Sequence, residues 1–341
     1  MPAIHHRFAS VDGQRLFYRE AGPGGAPVLV LLHGFPASSA MFRNAMQLLA
    51  DRWPEIAPDH LGFGLSDAPP VGDFDYSFDA LTDLTAGLLR QLGVPRYALY
   101  VHDYGAPIGW RLALRDPDTI AAVISQSGNA YQEGFQPGFF GTMWAYWAQQ
   151  NPHTESGVRR ALTLEMTRWQ YLAGVADESL VDPLTWITDH ALLSRPGNDL
   201  IQLALFRDYA NNPKLYPAVH QYFRDSQVPL LAVWGRDDPI FGPHGAAAFK
   251  VDLPNAEVHL LDGGHFLLES AGDEVVAGIA DHVRKFAERL HLVALRMRST
   301  QHIAMLAEGE QRFEFMIAIL APPADMQRKV ELGVGGFAHQ S

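Results

Sequence analysis

Short apolar runs alternate with amphipathic stretches over the first 128 residues and again after residue 227. Val28 to Leu32, Ile56 to Asp59, Tyr97 to Val101, Ala121 to Ser125, Pro229 to Val233 and Val258 to Leu261 have strand length. Most are apolar nearly throughout, as strands buried on both faces are. Residues 5 to 22 read as two strands joined at Asp12-Gly13, a hairpin signal. A helix is expected from about Ala40 to Ala50. In the next helix Phe78, Leu81, Leu84, Leu88, Leu89 and Leu92 share one face, with Ser77 as its N-cap and Gly93 at its end. A last amphipathic helix carries Val275, Ile279, Val283, Phe286 and Leu290. Strands alternating with helices predict an α/β fold with a mostly parallel central sheet flanked by helices.

The alternation breaks between Asn129 and Ser226, where only helical stretches are found. This region holds Trp144, Trp147, Trp169 and Trp186, and the tyrosines 131, 146, 171, 209, 216 and 222. The simplest organisation is a core in two parts, 1–128 and 227–290, interrupted by a helical cap at 129–226. An insert leaving at the carboxyl end of a strand can cover that end, where open sheets place their sites. Residues 291–341 fit no part of this scheme and have no assigned role. Packing on the body, a place in a homo-oligomer and disorder are its alternatives.

Composition narrows the function. The formal charge is -12 and no basic run is present, which argues against nucleic acid as a partner. The chain has no cysteine, so disulfides, thiol catalysis and thiolate metal sites are excluded. No run of 18 apolar residues suggests a membrane span, and Met1 to Ser10 do not read as a signal peptide. A soluble, cytoplasmic protein is the expectation. The histidines show no metal-ligand spacing.

The candidate chemistry lies in Val101-His102-Asp103-Tyr104-Gly105, between a buried strand and a helix with Pro107 in its first turn. Such a strand-to-helix turn has the pattern of a nucleophile elbow, usually occupied by Ser and here by Asp103. Alone, an Asp before a helix is equally an N-cap. Two later segments favour chemistry: Trp234-Gly235-Arg236-Asp237-Asp238-Pro239 and Gly263-Gly264-His265-Phe266, each after a strand. The order nucleophile, acid, histidine suits a carboxylate that forms an ester and a histidine that activates water to cleave it. Asp103, Asp238 and His265 take these roles, with Asp237 as the rival acid. Asp59 and Asp67 read as turn residues, and His60 and His102 as spectators.

With His33-Gly34-Phe35-Pro36, Ala57-Pro58-Asp59 and Gly62-Phe63-Gly64-Leu65-Ser66-Asp67, these segments resemble the α/β-hydrolase fold. They are similar to its Asp-nucleophile branch, the epoxide hydrolases and haloalkane dehalogenases, over roughly residues 5 to 290. The resemblance implies Asp238 as the acid and the backbone N–H groups of Phe35 and Tyr104 as the oxyanion hole. Many dehalogenases of this branch hold the halide with an Asn and a Trp where this chain has Phe35 and Tyr104. Epoxide hydrolases use two cap tyrosines, which points to Tyr146 and Tyr222, with Trp147 beside the substrate. Tyr222 stands one position before the family's usual tyrosine, which is Phe223 here. The expected activity is hydrolysis of an epoxide to a diol, on a small apolar substrate and water, with no cofactor and no metal. A haloalkane dehalogenase, a carboxylesterase and a non-catalytic binding protein on the same fold are the alternatives.

Overall fold

The computed structural model describes residues 2–23 and 28–282. Strands β1 (His5–Val11) and β2 (Gln14–Ala21) form the expected antiparallel hairpin, with Asp12 and Gly13 at φ +47° and +80°. Asp and Gly are the residues that tolerate this left-handed turn. β3 (Val28–Leu32) leads to α1 (Arg43–Leu49) and β4 (Glu55–Pro58). The helix expected at 40–50 begins as a tight turn at Ser39–Phe42, capped by the Ser38 hydroxyl. α2 (Phe78–Gln91) starts where the Ala80 N–H donates to Ser77 at 3.1 Å. β5 (Tyr97–His102), α3 (Gly105–Arg115) and β6 (Ile120–Gln126) follow.

Between β6 and the next strand the chain forms α4 (Pro137–Ala148), α5 (Pro152–Arg159), α6 (Leu164–Leu172), α7 (Leu184–Leu193), α8 (Asn198–Asp208) and α9 (Asn212–Ser226). Then come β7 (Leu230–Gly235), α10 (Pro243–Asp252), β8 (Glu257–Leu261) and α11 (Leu267–Ser270). The expectations for Val283, Phe286, Leu290 and residues 291–341 lie outside the described residues.

The eight strands are ordered β1-β2-β4-β3-β5-β6-β7-β8, parallel from β4 to β8. Val30, Leu32, Leu99 and Val101 enter the core on one face, against α2 and α3. Leu29, Leu31 and Tyr100 enter the core on the other face, against α1, Val275 and Ile279. Both faces are covered, which explains the unbroken apolar runs. Each fully buried Val or Leu contributes about 1.5–3 kcal/mol. Because β3, β5, β7 and β8 run the same way, the segments that follow them all emerge at one edge of the sheet. No helix among the described residues is long and apolar enough to cross a membrane.

Candidate active site

β5 ends at His102 and α3 begins at Gly105, so Asp103 and Tyr104 must turn the chain. Asp103 does so at φ +44°, a conformation that costs a non-glycine residue roughly 1–2 kcal/mol. α3 lies so close to β3 that a Cβ on Gly105 would stand 2.1 Å from the Leu32 carbonyl oxygen. A Cβ on Gly34 would stand 2.4 Å from Asp103 Cβ. Asp103 is not a helix cap. No side chain caps α3; instead the Phe35 N–H donates to Asp103 Oδ2 at 2.7 Å.

Asp238 and His265 meet at the same sheet edge. His265 Nδ1 lies 2.9 Å from Asp238 Oδ2, and both side chains are fully buried. The other carboxylate oxygen, Oδ1, accepts from the N–H groups of Ile240 at 2.8 Å and Phe241 at 3.0 Å. The acid is thus held by its own turn, and it holds the imidazole. His265 Nε2 is buried without a partner among the described residues. Asp237 is exposed and its N–H donates to the Gly263 carbonyl, so the rival acid does not reach His265.

Burial pushes Asp103 up to about 6; His265 and the N–H groups of Phe35 and Tyr104 work against that rise, and Asp238 adds to it. Burial alone would lower His265. The charge and hydrogen bond of Asp238, with the charge of Asp103, outweigh it and raise the imidazole. At neutral pH the nucleophile candidate is mostly ionised and faces a histidine that holds protons more firmly than usual.

Asp103 opens into a cleft enclosing about 410 Å³, open solvent at its mouth included. Phe35, Tyr104, Phe139, Phe140, Met143 and Phe206 give it mainly aromatic walls, with Gln170 and Tyr209 as polar members from the insert. Tyr209, just after α8, is the insert tyrosine on the cleft. Burial first, then the charges of Tyr216, Asp103 and Tyr104, raise its pKa well above the ordinary value, so it stays a donor.

The insert residues expected from the resemblance are placed differently. Tyr146 is buried in α4 but does not line the cleft. Tyr222 faces α9's neighbours and feels Tyr97, at the amino end of β5, the opposite edge of the sheet. On α9 it is not among the residues lining the cleft that holds Asp103. Trp147 also stays off the cleft. Its indole N–H donates to the Phe206 carbonyl at 2.7 Å, and its ring stacks on Tyr209 at 5.9 Å. Trp147 thus packs against Tyr209 and is not among the residues lining the cleft. Both Tyr209 and Gln170 escaped sequence reasoning. Thr167, Gln170 and Tyr171 are buried along one face of α6, so a polar inner face was the available signal.

The remaining motif residues make contacts of a structural kind. Asp59 accepts from the N–H groups of Ser39 and Leu65, both at 2.7 Å, and so fastens the β4 turn. His60 and His33 bond to each other's backbone segments beneath the site. His102 packs on His265 at 4.6 Å, and burial with the charge of His265 keeps it neutral. Asp67 binds Arg15 on the β2 side.

Residues 27–271 match the model of the alpha/beta hydrolase fold family. The chain belongs to this family. It is 42% identical over 289 residues to the uncharacterized hydrolase YNR064C of Saccharomyces cerevisiae, covering 84% of this chain and 98% of that protein. It is 29% identical over 331 residues to a cis-3-alkyl-4-alkyloxetan-2-one decarboxylase of Shewanella oneidensis, covering 91% and 96%. Among solved structures, the haloalkane dehalogenase DbeA from Bradyrhizobium elkani USDA94 superposes with a TM-score of 0.69 at 25% identity, covering 82% and 97%. The chain is thus an alpha/beta-fold hydrolase with relatives that act on different bonds.

Proposed function

We propose that this hydrolase forms a covalent ester on Asp103, which a water activated by His265 then cleaves, and that its substrates are epoxides. The observation that carries the epoxide reading is Tyr209, a protonated phenol on the cleft that holds Asp103. A ring oxygen is a poor leaving group and needs a proton or a strong donor as it departs. Halide departure needs only donors. The positions where dehalogenases of this branch carry Asn and Trp hold Phe35 and Tyr104 here, and the Trp147 N–H is engaged elsewhere.

Asp103 Oδ2 is held by the Phe35 N–H, which leaves Oδ1 to attack. Oδ1 bonds to an epoxide carbon, the ring C–O bond breaks, and the oxygen takes the electron pair and the Tyr209 proton. Esterification removes the Asp103 charge, one of the groups that raise His265, so more of the imidazole is neutral and free to accept a proton from water. His265 takes a proton from water, and the resulting hydroxide adds to the ester carbonyl carbon. Negative charge then develops on Oδ2, which the Phe35 N–H already holds, with the Tyr104 N–H bonded to the same carboxyl. Collapse expels the diol oxygen as an alkoxide that takes the proton held by His265, the carboxyl proton left from water returns to the Tyr209 phenolate, and the Asp103 carboxylate is restored. A small apolar substrate suits the aromatic walls, and the cytoplasm is the compartment assigned with this reading.

His265→Gln separates the two halves. With an epoxide that the wild type converts, intact-protein mass should rise by one substrate mass, mapped to Asp103. An inactive, unmodified His265→Gln protein would refute the ester. The dehalogenase reading is favoured by the similarity to DbeA. A bromoalkane in the same assay distinguishes it: faster alkylation than by a matched epoxide would favour halide as the leaving group.

A further inference from the structure

We propose that Gln170 contacts the substrate and donates its side-chain N–H to the atom that departs from carbon; this rests on the covalent attack by Asp103. Gln170 is 1% exposed, and its amide nitrogen has no partner among the described residues. A buried donor is normally paired. Here it lines the same cleft as Asp103, between aromatic and aliphatic walls. The amide nitrogen thus carries an unmade hydrogen bond that a ligand's acceptor or a water would satisfy.

Its position is fixed from both sides. The next residue, Tyr171, gives its hydroxyl to Asp189 and stacks on Phe266 at 4.0 Å. Phe266 directly follows His265, so α6 is tied to the histidine loop. Three residues earlier, the Thr167 hydroxyl donates to the Thr163 carbonyl at 3.0 Å. Gln170 is therefore held in a fixed relation to the catalytic candidates, as a preorganised donor must be.

Displacement at carbon is in line: the bond to the departing atom lies opposite the attacking carboxylate. Asp103 approaches from the sheet edge, so the departing atom points at the insert, which offers Tyr209 and Gln170. The two differ in kind. A phenol can give up its proton, whereas an amide N–H donates a hydrogen bond and keeps it. Tyr209 thus serves the oxygen leaving groups that must be protonated, and Gln170 serves any acceptor, oxygen or halide. A bare phenol would select for ring oxygens; the added amide widens the cleft's range to other polarised carbon–acceptor bonds.

The test uses the full chain carrying His265→Gln, which stops at the alkylated enzyme, and adds Gln170→Leu, Gln170→Met or Tyr209→Phe. The rate of Asp103 alkylation by a small epoxide and by a bromoalkane is read from intact mass. Both Gln170 variants should slow alkylation at least tenfold with either reagent, and Tyr209→Phe should slow the epoxide far more than the bromoalkane. Both Gln170 variants should also melt no lower than their parent, since each removes a buried unpaired donor. That result separates substrate contact from a structural role. If only the bromoalkane alkylates the parent and Gln170→Leu slows it, the epoxide reading falls and the Gln170 assignment stands. Unchanged alkylation in both Gln170 variants, a clear loss of Tm in both, or a parent that neither reagent alkylates would overturn the assignment.

Discussion

At the scale of single residues, the site concentrates unfavourable choices. Asp103 combines a left-handed backbone with a carboxyl pushed up to about 6 by burial. A folded-state value above the ordinary 3.8 means that the folded protein holds this proton more tightly than the unfolded chain. The associated stability is present below about pH 4 and lost as pH rises through about 6. At pH 8 the charged form costs roughly 3 kcal/mol at most, from about 1.4 kcal/mol per tenfold change in proton affinity. Asp103→Asn keeps the size and an acceptor for the Phe35 N–H. It should raise Tm at pH 8, with a smaller gain at pH 4, and abolish turnover. An equal or larger gain at pH 4, followed by thermal melts at both pH values, would contradict the assigned cause. Loss of His265, which favours the ionised form, should move the alkylation pH profile of His265→Gln above that value.

Among the elements, the insert does more than cover the sheet edge. The turn after α6 is wedged between the two loops that carry Asp238 and His265. Gly174 sits at φ +84°, and a Cβ there would meet the Asp237 carbonyl oxygen at 2.4 Å and Gly264 Cα at 3.0 Å. Gly264 is packed as tightly against the Ala173 carbonyl oxygen, at 1.9 Å from an added Cβ. Gly174→Ala should therefore lower stability by about 1–2 kcal/mol or more. It should also cut turnover at least tenfold, because the clash displaces the backbone beside Asp238. A denaturant melt and a steady-state rate together decide this. Lower stability with an unchanged rate would mean that the contact only holds the insert down.

The same elements show which features were legible. Ser77 and Gly93 bracket α2 because capping chemistry is local. The apolar runs of β3 and β5 are strands buried on both faces, and Asp103, Asp238 and His265 follow strands of one direction, so topology alone brings them to one edge. The insert was harder to read. Its helices are short, their faces are mixed, and many aromatics bury without reaching the cleft. Tyr222 and Tyr146 are two of these, whereas Tyr209, just after α8, reaches the cleft. Likewise, nothing local marks Gln170 as facing a ligand. Its unpaired nitrogen becomes visible only when the helix is packed.

For the whole molecule, the sheet edge gathers Asp103, the Phe35 and Tyr104 N–H groups and the Asp238–His265 pair, while the insert supplies most of the cleft walls and the proposed donors. In the proposed mechanism the sheet's contribution is common chemistry, and the insert's sets the leaving group. The central claim is that an oxygen of Asp103, not of water, enters the product first. A single turnover with enzyme in excess over an epoxide, in water enriched in oxygen-18, measures this most directly. The account predicts an unlabelled first-turnover diol and one oxygen-18 in the Asp103 carboxylate, found by peptide mass mapping. A labelled diol from the first turnover, with Asp103 unlabelled, would contradict it.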